Sequence, residues 1–91
     1  MSIFARFTPA SVTYEQYEQA RQRLEDSGEW PPDGMEYHVC FGSTDNIQVN
    51  EVWDSQEQFA AFGERLMPVL ADLGIDPGEP EVLEVQNIVR R

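Results

Sequence analysis

The pattern of hydrophobic and polar positions goes through the same order of elements twice. Alternating apolar residues predict strands, and apolar residues at helical spacing predict helices. In chain order, the predicted elements are a strand over 3–7, a helix over 14–27, strands over 35–41 and 47–53, a helix over 56–73 and a strand over 82–89. A βαββαβ order is typical of the ferredoxin-like split βαβ arrangement. We therefore predict an α+β fold with a four-stranded antiparallel sheet and two helices on one face.

The starts of both helices carry a recognisable signal. Thr13 with Gln16, and Ser55 with Gln58, have the spacing of capping boxes, in which the two side chains satisfy free backbone N–H groups. The second helix also contains Pro68, which cannot donate a backbone hydrogen bond and clashes with the preceding turn. We expect a kink or break near Met67.

Strand alternation predicts which residues lie under the helices. The predicted helix-facing side holds Ile3, Ala5, Phe7, Met35, Tyr37, Val39, Phe41, Ile47, Val49, Glu51, Trp53, Leu83, Val85 and Val89. The predicted opposite side holds Phe4, Arg6, His38, Cys40, Asn50, Val52, Val82, Gln86 and Ile88. That second side is too apolar for a solvated surface and too polar for a core, so it suits the sheet of a second copy. We therefore predict a homodimer formed through this sheet face.

Length and charge exclude several classes of function. Ninety-one residues make a single domain, 1–91. Seventeen acidic residues against six arginines give a formal net charge of −11, which repels nucleic acids and anionic membranes, so neither is an expected partner. The single cysteine, Cys40, has no disulfide partner within the chain, and no apolar stretch approaches the roughly 18 residues of a membrane span. We expect a cytoplasmic protein.

Three residues are candidates for chemistry. Glu51 shares the predicted apolar side with Trp53, where burial would disfavour its charged form and suit it to general acid or base catalysis. A bulge turning it outward, or pairing with Arg6 or Arg65, would instead make it structural. Trp53 is either a core aromatic or a pocket wall. His38 is the only histidine, and we predict no metal site because such sites need several ligands.

The expected Pro68 kink predicts an apolar pocket between the sheet and the second helix. Its predicted lining is Tyr37, Val49, Glu51, Trp53, Phe59, Phe62 and Leu66. A flat aromatic ligand would stack on Trp53 there and direct its hydroxyl group to Glu51.

Trp53-Asp54-Ser55 followed by Phe59, within the βαββαβ order of nearly the whole chain, resembles the dimeric α/β-barrel superfamily and its antibiotic-biosynthesis-monooxygenase-like group. The resemblance implies that two sheets pair face to face into a barrel. It also implies that some relatives are cofactor-free monooxygenases acting on polyphenolic substrates and that others cleave haem. Haem-cleaving members use an Asn on strand one, the Trp ending strand three and a His on helix two. Only the Trp matches here, as Trp53, so we expect no haem, flavin or other cofactor.

Two functions remain open from the sequence. The favoured one is a small-molecule-binding homodimer without catalysis, because no complete catalytic set can be named. The alternative is a cofactor-free monooxygenase or isomerase acting on an aromatic, polyphenolic molecule, with Glu51, Trp53 and His38 as candidate catalytic residues.

Overall fold

The computed structural model describes all 91 residues and has the predicted order of elements. The elements are β1 (Ile3–Phe7), α1 (Tyr14–Asp26), β2 (Met35–Ser43), β3 (Asn46–Trp53), α2 (Gln56–Asp72) and β4 (Glu81–Glu84). The strands form one antiparallel sheet in the order β2-β3-β1-β4, and both helices pack on one side of it. The predicted ferredoxin-like α+β fold is confirmed. Neither helix is both long and apolar enough to cross a membrane.

Both helices begin where the capping signals place them. The Thr13 hydroxyl accepts the Gln16 backbone N–H, and the Gln16 side chain accepts the Thr13 backbone N–H. At the start of α2, the Ser55 hydroxyl accepts the Gln58 backbone N–H. The first cap fixes the rotation of α1 and therefore the direction in which its inner residues point.

The helix α2 continues through Pro68, so the predicted break near Met67 is wrong. Pro68 lies on the exposed side of α2, whereas Phe62 and Leu70 on its inner side are buried in the core. Core packing of Phe62, before the proline, and of Leu70, after it, keeps the helix continuous, although Pro68 has no N–H to donate to the carbonyl of Glu64.

A β-bulge in β2 reverses the predicted faces of that strand. Met35 pairs with Trp53, but Tyr37 rather than Glu36 pairs with the next residue, Val52. Glu36 is therefore an extra residue, and beyond it the alternation changes phase. As a result Met35 lies under the helices as predicted, whereas the predicted positions of the next residues are wrong. His38 and Cys40 lie under the helices, and Tyr37, Val39 and Phe41 lie on the outer face.

The Glu36 side chain is held at the bulge from two directions. Its carboxylate accepts a hydrogen bond from the Ser2 hydroxyl at 3.0 Å and another from the Arg90 guanidinium at 2.7 Å. The Arg90 hydrogen bond is the main reason why the pKa of Glu36 lies below its usual range. These contacts favour the conformation in which Glu36 is the extra residue of the bulge.

The strand β4 is shorter than predicted and has the opposite phase. It ends at Glu84, after which the Val85 N–H donates to the Ser2 carbonyl at 3.1 Å. Val82 pairs with Ala5 and packs under the helices, whereas Leu83 pairs with Phe4 on the outer face. The predicted continuation of this strand over 85–89 is therefore wrong, as are the predicted sides of Val82 and Leu83.

The core consists of two separate clusters of buried residues. The first cluster contains Val12, Ala20, Ile47, Val49, Leu70 and Ile75. The second cluster contains Ile3, Leu24, Trp53 and Phe62. Glu51 is the one charged residue buried in the structure, and its neighbours on the same face of β3 are Val49 of the first cluster and Trp53 of the second. A polar group therefore interrupts the apolar interior.

Replacing Pro68 with Ala should stabilise the protein. Because α2 is continuous at this exposed position, alanine would restore a backbone hydrogen bond without disturbing the core, and we expect a gain of about 1–3 kcal/mol in the free energy of unfolding. Urea denaturation would measure it, with Met67→Ala, at the neighbouring exposed position, as the control. A loss of stability in Pro68→Ala would show that the proline is needed for the path of the helix.

Candidate active site

The buried Glu51 carboxylate uses both of its oxygens. The Trp53 indole Nε1–H donates to Oε1 at 2.9 Å, and Nδ1 of His38 lies 2.8 Å from Oε2. The Glu51 side chain is 7% exposed and that of His38 is 15% exposed. A buried carboxylate without partners is strongly destabilising, so these two contacts are what allows Glu51 to occupy this position.

Neither structural alternative for Glu51, an outward-turning bulge or an arginine partner, is found. It does not turn outward, and neither candidate arginine reaches it. Arg6 pairs with Glu81, and Arg65 lies 3.9 Å from Glu29. The partner of Glu51 is instead His38, which pairs with it across β2 and β3 because of the bulge.

Tyr17 on α1 extends this chain of polar groups by one member. Its hydroxyl lies 2.7 Å from Nε2 of His38. One arrangement of protons satisfies every group: neutral His38 donates from Nδ1 to Glu51 and accepts the Tyr17 O–H at Nε2, while Trp53 donates to Glu51. Every polar atom of the Tyr17–His38–Glu51–Trp53 chain thus has a partner. Within it, a buried carboxylate, that of Glu51, holds a candidate base, His38, in position.

Burial raises the pKa of Tyr17 to about 12, with the nearby Cys40 thiol as the second cause. Tyr17 therefore keeps its proton at neutral pH and is a hydrogen-bond donor to His38. A tyrosinate at this position would be poorly solvated.

Aromatic rings fix the His38 imidazole from two sides. The Tyr17 ring stacks on it with a centroid distance of 5.8 Å and an interplanar angle of 18°. The Trp30 ring meets it edge-on at 4.9 Å and 90°. Rings in these orientations restrict rotation of the imidazole and keep its two nitrogens directed at Tyr17 and Glu51.

A cavity of about 100 Å³ lies between the sheet and the two helices, with the polar chain on its wall. Its lining residues are Phe7, Pro9, Val12, Tyr17, Ala20, Arg21, Leu24, Trp30, His38, Ile47, Val49, Glu51, Phe62, Leu66, Leu70, Ile75 and Pro77. The lining is mainly apolar, and its polar groups come from Tyr17, His38 and Glu51 together with Arg21. A mainly apolar concavity with a few convergent polar groups is the usual form of a small-molecule site.

The cavity includes only part of the predicted pocket. Val49, Glu51, Phe62 and Leu66 line it, together with the candidate His38. Three residues of the predicted lining do not. Tyr37 lies on the outer face, Trp53 is completely buried in the second cluster, and Phe59 packs against that cluster. Residues of α1 and Trp30 line the cavity where the prediction placed Trp53.

Two important residues of the site were not predicted as pocket residues. Tyr17 belongs to the apolar stripe of α1, so its hydroxyl lies inside the protein, and an interior hydroxyl needs a partner. Trp30 lies in the loop before β2, where no periodicity places it. Nowhere in the structure do three or more His, Cys, Asp or Glu side chains come together as a group that could hold a metal ion.

Comparisons of the chain's sequence with family models and with curated proteins found no match. Comparison of the fold with solved structures found several. SnoaB, a cofactor-independent oxygenase from Streptomyces nogalater, has a TM-score of 0.62 at 14% identity, with 99% of this chain and 96% of that chain covered. A candidate antibiotic biosynthesis monooxygenase from Chloroflexus aurantiacus has a TM-score of 0.62 at 16% identity, with 98% of each chain covered. Another from Deinococcus radiodurans has a TM-score of 0.59 at 16% identity, covering 100% of this chain and 98% of that one.

These similarities extend over essentially the whole of each chain, so they concern the complete fold. They confirm that the chain resembles proteins of the antibiotic-biosynthesis-monooxygenase-like group in fold. At 14–16% identity they show the fold alone and assign no activity to this protein.

The raised pKa of Tyr17 predicts a specific loss of stability at alkaline pH. The unfolded chain releases this proton near pH 10 and the folded chain near pH 12, so ionisation favours the unfolded state as the pH rises through this interval. Urea denaturation between pH 9 and 12 should show stability falling less steeply in Tyr17→Phe than in the wild type. Tyr14→Phe, which removes an exposed tyrosine, should keep the wild-type slope. Identical slopes in all three proteins would contradict the buried position of the Tyr17 hydroxyl.

Proposed function

We propose that the protein is a cofactor-free oxygenase that binds a small hydroxyl-bearing aromatic molecule in the cavity and removes its hydroxyl proton. The observation that carries this proposal is the Tyr17–His38–Glu51–Trp53 chain, which is buried, complete and exposed to the cavity through Tyr17 and His38. A single small domain gains little by burying four connected polar groups for stability alone, because apolar residues would fill the same space at lower cost.

The order of the chain supports proton transfer away from the cavity. A substrate hydroxyl beside the Tyr17 oxygen gives its proton to that oxygen while Tyr17 gives its own proton to Nε2 of His38. The two transfers occur together, because the raised pKa of Tyr17 disfavours a tyrosinate as a separate intermediate. Glu51 then stabilises the imidazolium and holds the ring in place, as the buried carboxylate does in hydrolase triads.

Dioxygen is the oxidant in this reaction. The deprotonated ring is electron-rich at the carbon opposite its oxygen, and this carbon bonds to one atom of dioxygen. The O–O bond of the resulting hydroperoxide then breaks, the ring carbon loses its hydrogen, and water leaves. For phenol, one molecule of phenol and one of dioxygen give one para-benzoquinone and one water, and His38 returns its proton to the departing oxygen. SnoaB, which has the same fold, is a cofactor-independent oxygenase, and this supports the proposal.

A second candidate is a binding protein without chemistry. It is supported by one observation, namely that every polar atom of the four-residue chain already has a partner inside the protein. A third outcome, isomerisation, would need the same proton relay but no dioxygen, since the proton would return to a different atom of the ligand.

Oxygen consumption with a panel of phenols and hydroquinones would test the proposed activity. His38→Gln and Glu51→Gln should each lower kcat by about 10²–10⁴-fold, because the first removes the base and the second removes the negative charge that stabilises the imidazolium. Tyr14→Phe, beside Tyr17 but exposed, should retain wild-type activity. Turnover that continues without dioxygen would identify an isomerase instead, and tight binding without turnover would identify a binding protein.

We also propose that two copies associate through the outer sheet face. This face carries Phe4, Tyr37, Val39, Phe41, Val52 and Leu83, of which Tyr37, Phe41 and Leu83 are exposed. Covering the exposed Tyr37, Phe41 and Leu83 side chains with a second sheet would remove them from water, which favours association. A cytoplasmic location belongs to the same set of proposals and is supported by the free Cys40 thiol.

Leu83→Glu should convert the proposed dimer into monomers. Leu83 is 48% exposed on the outer face, so a charge there would be buried against the second copy but solvated in a monomer. Met67→Glu is the matched control, because Met67 is 50% exposed on α2, on the opposite side of the sheet. Sedimentation equilibrium at micromolar concentration would measure both variants. A wild-type protein that sediments as a monomer would refute the dimer.

A further inference from the structure

We infer that the cavity takes a single-ring, uncharged hydroxyarene, such as a simple phenol or hydroquinone, and rejects both fused-ring and carboxylate-bearing analogues. This inference rests on the proposed function and names its substrate class. It departs from the polyphenolic substrates that the family resemblance implies.

The volume of the cavity limits the ligand to one ring. At about 100 Å³ it is smaller than the engineered cavity of about 150 Å³ that holds benzene, and far smaller than the roughly 300–1,000 Å³ of sites for larger ligands. One ring fits with a small movement of the half-buried Trp30 or Leu66 side chains. A second fused ring would need new space of similar volume.

The walls cannot easily supply that space. Ile47, Val49 and Leu70 belong to the first core cluster, and Leu24 and Phe62 belong to the second, and all five line the cavity. Displacing any of them would open the packing of a core that is close-packed elsewhere. Enlargement for a bigger ligand would therefore cost part of the stability of the fold.

The charges around the cavity exclude an anionic ligand. Arg21 is the one cationic side chain in the lining, and its guanidinium already binds the Glu18 carboxylate at 2.8 and 3.1 Å and also the Glu25 carboxylate. A ligand carboxylate would find no free cation and would be placed near Glu51. Burying it there would be strongly unfavourable, so the ligand is uncharged.

The polar chain supplies the remaining selectivity. Tyr17 and His38 form the polar side of an otherwise apolar space, so they favour a ligand with a hydroxyl group at its edge. Trp30 and Phe62, with ring centroids 6.4 Å apart, also line the cavity and would contact the ring of the ligand.

Ligand titrations followed by NMR, under anaerobic conditions so that no turnover occurs, would test the size limit. Phenol should bind the wild type and shift the Trp30 indole N–H signal, whereas 1-naphthol and 1-anthrol should bind at least about tenfold more weakly. Leu66→Ala, which removes a lining side chain, should improve 1-naphthol binding by about tenfold or more, while Met67→Ala on the exposed side of α2 should not change it. Binding of 1-naphthol to the wild type as tightly as phenol would overturn the inference even if Leu66→Ala does not fold.

A second comparison isolates charge from size. 4-Methylphenol and 4-hydroxybenzoate have nearly the same shape, and the carboxylate should bind at least about tenfold more weakly. The Glu18→Gln, Glu25→Gln double variant leaves Arg21 without its carboxylate partners and should recover most of that difference. Equal binding of the two compounds by the wild type would show that the ligand can be an anion, and would overturn this part of the inference.

The results also separate the substrate class from the proposed function. Larger phenols that bind and consume dioxygen would overturn the single-ring inference and leave the oxygenase intact. Failure of every compound to bind would remove the ligand site, and with it both proposals.

Discussion

The structure depends on the burial of one carboxylate, that of Glu51. An unpartnered charge at this depth would cost several kcal/mol, so the surroundings are arranged to satisfy it. Trp53 and His38 contact its two oxygens, and Tyr17 satisfies the remaining nitrogen of His38. Each partner comes from a different place in the fold: Tyr17 from α1, His38 from β2 and the other two residues from β3. The interaction therefore fixes the positions of three elements relative to one another and leaves a polar wall beside a cavity.

Two local features bring these partners together. The bulge at Glu36 turns His38 inward so that it pairs with Glu51, and without it the regular alternation would place Tyr37 opposite that carboxylate. The Thr13 capping box sets the start of α1, and Tyr17 follows one helical turn later on the inner side. Both features are local and polar, yet together they determine the arrangement of the interior.

The sequence was sufficient for the element order, the helix starts and the unusual position of Glu51, because each leaves a local signal. It was not sufficient for the faces of β2, because a bulge does not change the composition of a strand and its residues read as continuous alternation. In β4, apolar residues occupy both phases of the segment after Pro80, so either side could face inward. The polar chain joins Tyr17 to residues more than 20 positions away, and no periodicity within a single element can predict such a contact.

The division of the core into two clusters affects how distant substitutions combine. Among the half-buried apolar residues, Leu66 and Val69, on one turn of α2, pack against both clusters. The two halves also meet where the Phe7 and Phe59 rings lie 6.2 Å apart, where Tyr17 and Trp30 contact the His38 ring, and at the hydrogen bonds of Glu51. Stability losses from one change in each half should therefore add, as they do for independent sites. Energetic coupling between the halves is concentrated in these shared contacts, so a small domain contains two packing units joined by a few side chains.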